Sequence, residues 1–226
     1  MLIESLYPVL KGLVTIPGVE SNIPGQPREG LRGVATNFIL LDTSVLTEAR
    51  KTDEKLNDDL VFFFRQVPAG ALAVPHAAIF ELQRGACNIG RRDPIREQLY
   101  NDWLDQLLAT DIWLPPVDVS VKRLLAKMTM DTELSSFWIS QSGKPKMMFG
   151  CDPEIAATAI VHGLPIASTD VHDFLRIHRK FPLPGLYSPV SGKWHVDPPD
   201  GWYLGENIEP DERDWHSTIG PIEYRR

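Results

Sequence analysis

Phe38-Ile39-Leu40-Leu41 is an unbroken apolar run that ends at a carboxylate, Asp42. Four residues suit a strand rather than a helix, and a strand apolar at every position is buried on both faces. That demand requires a sheet with cover on either side. Three further short runs repeat the pattern: Ala71 to Val74, Ile112 to Leu114 and Leu164 to Ser168. Helical stretches lie between them. One covers Asp53 to Gln66 and ends before Pro68; another covers Ala77 to Arg84, with Gly85 as its stop. Asp93-Pro94 reads as an N-cap followed by proline at the first helical position of a helix reaching about Leu108. Val119 to Lys127 is helical, and Asp152-Pro153-Glu154 opens a helix that runs through Val161 and is closed by Gly163. Residues 131–150 show no clear element, with Gly143 and Pro145 opposing a helix. Alternation of this kind predicts an α/β fold with a mostly parallel central sheet.

Length and composition set the outer limits. The 226 residues fit one domain with extensions, and 43% apolar with 23% charged residues is ordinary for a globular chain. Residues 1–36 are rich in Gly and Pro and read as an irregular N-terminal extension. Residues 37–182 form the compact domain, and residues 183–226 read as an acidic, irregular tail rich in Pro, Gly and Trp. No run of about 18 apolar residues exists, so no membrane span is expected. Met1 to Val14 is too short and polar for a good signal peptide. Two cysteines, Cys87 and Cys151, are too few for a disulfide framework, so the expected compartment is the reducing cytoplasm. The net charge of -7 is concentrated at the end: residues 197–226 hold eight acids against three arginines, a net of -5, leaving -2 for the other 196 residues. Overall charge therefore does not exclude a nucleic acid partner.

The acids fall where such a sheet places its chemistry. Sites in open α/β sheets form beyond the carboxyl ends of the strands. Asp42 directly follows the first run and Asp170 the last, with Asp173 three residues on. Asp152 starts the helix before that last strand, and Glu81 lies on the helix after the second. Clustered carboxylates repel one another. A hard divalent cation with oxygen ligands, Mg²⁺ or Mn²⁺, relieves that repulsion and can activate water beside a phosphoryl group. Each acid also has a plain structural use. Asp42 suits backbone bonding at a strand end, Asp152 an N-cap, Glu81 a solvated helix face, and Asp170 and Asp173 a turn.

At these residues the sequence resembles a known family. Phe38 to Leu46 is similar to the opening motif of PIN-domain proteins, and Ile79-Phe80-Glu81-Leu82 to their second. Asp152-Pro153-Glu154-Ile155-Ala156-Ala157-Thr158-Ala159 resembles the third, and Ser168-Thr169-Asp170-Val171-His172-Asp173-Phe174 the fourth. The resemblance is to the VapC-like toxins of type II toxin–antitoxin systems, over about residues 37–182. It implies a PIN-like three-layer α/β/α fold and a Mg²⁺- or Mn²⁺-dependent endoribonuclease that leaves a 5′-phosphate and a 3′-hydroxyl. It implies Asp42 and Asp152 as primary metal ligands, Glu81 completing the acidic cluster, and Asp170 or Asp173 as the fourth carboxylate. Ser44 and Thr169 match small polar positions that orient Asp42 or the scissile phosphate. The implied partners are RNA, a small antitoxin protein and a second copy of the chain in a homodimer. The chain departs from the family in its long N-terminal extension, in the long interval from Glu81 to Asp152, and in its tail.

Two basic clusters accompany the acids. Arg176, Arg179 and Lys180 lie just after the fourth motif and are expected to contact the RNA backbone; Arg84, Arg91, Arg92 and Arg96 form the other cluster. The tail tryptophans, Trp194, Trp202 and Trp215, are expected to pack back onto the domain. No zinc spacing, P-loop or dinucleotide fingerprint occurs. Two other readings remain open: a PIN-like module that binds RNA or protein without cleavage, and a phosphotransfer enzyme with Asp42 as nucleophile.

Overall fold

The computed structural model describes residues 38–51, 57–67, 70–110, 112–139 and 149–204. The N-terminal extension, the expected start of the helix at Asp53, Lys144, Lys146 and Trp215 lie outside the described residues.

Strand β1 (Ile39–Leu41) is central. Parallel to it on one side runs β2 (Leu72–Ala73), and on the other β3 (Ile166–Ala167). Next to β3 lies β4 (Leu186–Ser188), also parallel, followed by antiparallel β5 (Lys193–Val196). The order is β2-β1-β3-β4-β5. The expected strand at 112–114 is reduced to a single parallel bridge, Ala73 to Trp113. It is closed by Trp113 N–H to Leu72 O (3.1 Å) and Val74 N–H to Trp113 O (2.9 Å).

The strand period sorts the core into two layers. Ile39 and Leu41 point into one cluster, built with α1 (Thr43–Ala49), α2 (Asp58–Gln66), α3 (His76–Gly90) and α4 (Pro94–Leu108). Leu40, between them, points into the other cluster, with α5 (Val119–Thr129), a 3₁₀ turn (Thr132–Phe137), α6 (Cys151–His162) and α7 (Val171–His178). Consecutive side chains of a strand face opposite ways, so a fully apolar β1 needs both layers. Ile39, Leu40 and Leu41 are fully buried. The architecture is three-layer α/β/α, as expected.

Several boundaries move for identifiable reasons. Helix α3 runs through Gly85 to Gly90 rather than stopping. Gly85 is exposed with open space around it, so its cost is that of a helix-interior glycine, about 1 kcal/mol. The Asp93-Pro94 start of α4 holds, with the Asp93 carboxylate accepting from Arg96 N–H (3.0 Å). Gly163 closes α6 with a φ of 67°.

The tail reading needs correction. Residues 186–188 and 193–196 are strands of the central sheet, so the fold extends past residue 182. A turn closed by Gly192, with φ at 63°, makes the hairpin. Trp194 and Trp202 pack as expected. Trp194 lies 5.0 Å from the ring of Tyr187 and 5.0 Å from that of Trp202, and Trp202 Nε1–H donates to Phe38 O (3.2 Å).

Candidate functional site

Asp42 sits where β1 gives way to α1, at the carboxyl edge of the sheet. It is the N-cap of α1 and only 4% exposed. Three donors meet on its Oδ2: Ser44 Oγ–H at 2.6 Å, Ser168 Oγ–H at 2.8 Å and Ser44 N–H at 3.4 Å. Burial nevertheless raises the Asp42 pKa, with these hydrogen bonds acting against it.

The neighbouring strand supplies the rest of this knot. Ser168, at the end of β3, is buried. Its hydroxyl also accepts from Asp170 N–H (3.0 Å). Thr169 joins through its backbone, N–H donating to Ser44 Oγ (3.0 Å). The hydroxyl that reaches Asp42 from this motif is therefore that of Ser168, which the sequence reading passed over for its neighbour. Strand parity offered the clue, since a small polar residue ending an apolar run beside a buried acid is a donor candidate.

Asp152 is not the cap of α6. Gly150 holds that place in a left-handed conformation, and Asp152 lies inside the first turn. A carboxylate there gains from the helix dipole, yet its pKa is pushed up to about 7. Burial is the largest cause, followed by the charges of Asp42, Glu81, Asp173 and Asp170, in that order. Asp152 thus feels all four other acids singled out from the sequence. Glu81 reaches it from α3, and Asp170 and Asp173 from the start of α7.

Those last two differ in setting. Asp170 is exposed and caps α7, its Oδ1 accepting from His172 N–H (3.3 Å). Asp173 is half-buried and held by Arg176 Nη1 at 3.0 Å, with His172 Nδ1 3.4 Å away. Arg176 is further fixed by Ser136 Oγ (2.7 Å) and Glu133 O (3.1 Å), and stacks 4.9 Å from the Phe137 ring centroid. Arg176, one of the three expected RNA contacts, therefore serves Asp173 and the 3₁₀ turn. Lys180 pairs with Glu133. Arg179 is exposed, and its Nε–H reaches only Leu175 O of its own helix (3.5 Å). In the other cluster Arg91, Arg92 and Arg96 line a cleft of about 400 Å³ at the α3–α4 turn, where Arg96 Nε–H donates to Tyr100 Oη (3.1 Å).

The donor set suits a hard cation: every candidate ligand is an oxygen. Among the described residues no three His, Cys, Asp or Glu side chains are gathered closely enough to hold an ion by themselves. Mg²⁺ commonly keeps several waters and takes only one or two carboxylates directly.

The raised pKa values have a testable consequence. The unfolded chain releases the Asp152 proton near 3.8, whereas the folded protein keeps it to about 7. Between those values the folded state binds more protons, so its stability falls as pH rises. Metal-free protein is expected to melt at a lower temperature at pH 8 than at pH 5, with Mg²⁺ or Mn²⁺ restoring stability chiefly at pH 8. A melting temperature that rises over this interval in EDTA would contradict the carboxylate cluster.

No family model matches the chain, and no curated protein matches it. Solved structures do. It is similar to FitAcB from Neisseria gonorrhoeae, at 22% identity, covering 62% of this chain and 92% of that one, with a TM-score of 0.46. It is similar to FitAB bound to an IR36 DNA fragment, at 20% identity, covering 70% and 99%, with a TM-score of 0.49. It is also similar to VapBC-5 from Mycobacterium tuberculosis, a member of the VapBC family of toxin–antitoxin systems, at 20% identity, covering 67% and 97%, with a TM-score of 0.43.

Proposed function

We propose that the chain is a PIN-domain endoribonuclease of the VapC-like kind, hydrolysing RNA phosphodiester bonds as the toxin of a type II toxin–antitoxin pair. The observation that carries this reading is that the charges of Asp42, Glu81, Asp173 and Asp170 all act on Asp152. Acids that repel one another, one of them the buried Asp42, are costly to a fold, and their order matches the motif order that the sequence shares with that family.

Asp42 and Asp152 would hold Mg²⁺ or Mn²⁺, with Glu81 and Asp173 completing the set directly or through water. Asp173 is preferred to Asp170 because its charge acts more strongly on Asp152 and its carboxylate is oriented by Arg176. When bound, the ion supplies charge neutralisation, polarisation of a phosphoryl oxygen and a water of lowered pKa. The chain's own part is positional. Ser44 and Ser168 aim the Asp42 carboxylate through Oδ2, and the Ser168 bond to Asp170 N–H ties the β3 end to the start of α7. In the overall reaction water adds to phosphorus and the P–O3′ bond breaks, giving a 5′-phosphate and a 3′-hydroxyl. Arg179 remains the best placed of the three expected backbone contacts, since Arg176 and Lys180 are engaged by protein groups. A small antitoxin protein, a homodimer and a cytoplasmic setting belong to the same proposal and rest on the motif resemblance.

The test is cleavage of total RNA by the purified chain. Discrete fragments with 5′-phosphate ends, formed with Mg²⁺ or Mn²⁺ and abolished by EDTA, are the expected result. RNA that is bound but stays intact with either metal would instead establish the non-cleaving binding module.

A further inference from the structure

Phe80 and Phe149 are large apolar side chains left 46% and 51% exposed. They are neighbours: their ring centroids lie 5.2 Å apart, tilted by 57°. The Arg84 guanidinium sits 4.6 Å from the Phe149 ring centroid, a cation–π distance. Phe80 and Arg84 are four residues apart on α3 and share a face, and Glu81 lies three residues before Arg84 on the same surface. Phe149 comes three residues before Asp152. Each ring is thus attached to an element that also carries one of the carboxylates.

The link from Phe149 to Asp152 passes close against the Trp138 indole. Gly150 between them has a φ of 60°, and a Cβ there would lie 2.6 Å from the Trp138 indole nitrogen. Only glycine fits, and the indole seats the turn.

The acids create a problem that these rings solve. A carboxylate cluster repels the phosphates of RNA, and the chain as a whole is negative. In the absence of a bound ion, contacts to the uncharged part of the substrate add affinity beside such a site without meeting that repulsion. Aromatic stacking of a base supplies this without a phosphate contact.

We infer that Phe80 and Phe149, braced by Arg84, form a stacking platform for an unpaired nucleobase next to the bond to be cut, a specificity element that rests on the nuclease reading. The stacked base registers the strand, so cleavage occurs at single-stranded positions a fixed distance from it. Phe80 and Phe149 are positioning residues here, touching the base rather than the reacting phosphate.

The experiment measures binding by the full chain in EDTA, where no cleavage occurs, using a fluorescein-labelled single-stranded 12-mer RNA and an abasic 12-mer of the same backbone. The Phe80→Leu, Phe149→Leu double variant keeps apolar bulk and removes both rings. It is expected to bind the intact RNA about tenfold or more weakly and the abasic chain as the unaltered protein does, with an unchanged melting temperature. Phe149→Trp is expected to retain or strengthen binding of the intact RNA. Equal affinity of the leucine variant for intact RNA, an equal loss on the abasic chain, or no RNA binding by the unaltered protein overturns the platform; the first of these leaves the patch to a protein partner. Failure of the nuclease reading shows separately, as intact RNA when the unaltered chain is given metal.

Discussion

Replacing Asp152 with asparagine is expected to lower metal-dependent RNA cleavage by about 10²–10³-fold while raising the melting temperature of the metal-free protein at pH 8. The two effects have one origin. Stabilisation by a correctly held metal is worth several kcal/mol in the transition state, and each 1.36 kcal/mol is a factor of ten in rate. The same carboxylate, without an ion, has its pKa pushed up to about 7, first by burial and then by the charges of the four other acids. Asparagine removes that repulsion along with the ligand. Asp42→Asn is expected to match the loss of activity. Its amide must sit among the hydroxyls of Ser44 and Ser168, which now donate to Oδ2 and can rotate to accept instead. Paired cleavage assays and melts in EDTA decide the matter. A variant that lost both activity and stability would mean that Asp152 is a structural residue and not a ligand held under strain.

A chain ending at Pro182 is expected not to fold cooperatively. Such a cut removes β4 and β5 and leaves the far edge of β3 unpaired. It takes away Leu183, Leu186 and Tyr187, which are 5%, 0% and 4% exposed, and the edge-to-face pair Trp194 and Trp202. At roughly 1.5–3 kcal/mol for each large apolar side chain buried, the loss is comparable with a whole domain's stability of about 5–15 kcal/mol. Denaturant titration followed by far- and near-ultraviolet circular dichroism tests this. A sharp transition with native near-ultraviolet signal in the shortened chain would show that the hairpin is dispensable.

The same hairpin shows where sequence reasoning fails. Its strands, Leu186–Ser188 and Lys193–Val196, are three and four residues long and are flanked by Pro184, Gly185, Pro189 and Pro198. Proline and glycine density reads as irregular chain, and it is the pairing of β4 with β3, and of β5 with β4, that makes these residues strands. Helix α1 was missed although Asp42 is its cap, because the strand-end reading of Asp42 left no helix to start there. The acids were legible because their places follow from strand ends, and strand ends follow from where apolar runs stop. Ser168 was passed over, although the register that pairs Leu41 with Ala167 sets it, rather than Thr169, beside Asp42. The engagement of Arg176 by Ser136 and Glu133 was likewise invisible, being a contact across some forty positions.

Strand β1 enters the sheet at Phe38 and delivers Asp42 at the other end, and β5, running antiparallel, brings the chain back toward Phe38, where the Trp202 indole fastens it. Both ends of the described body therefore leave from the margin opposite the carboxylates. A partner joined directly at either end of the described body, at residue 38 or residue 204, would sit across the sheet from the acids and leave them facing away from it.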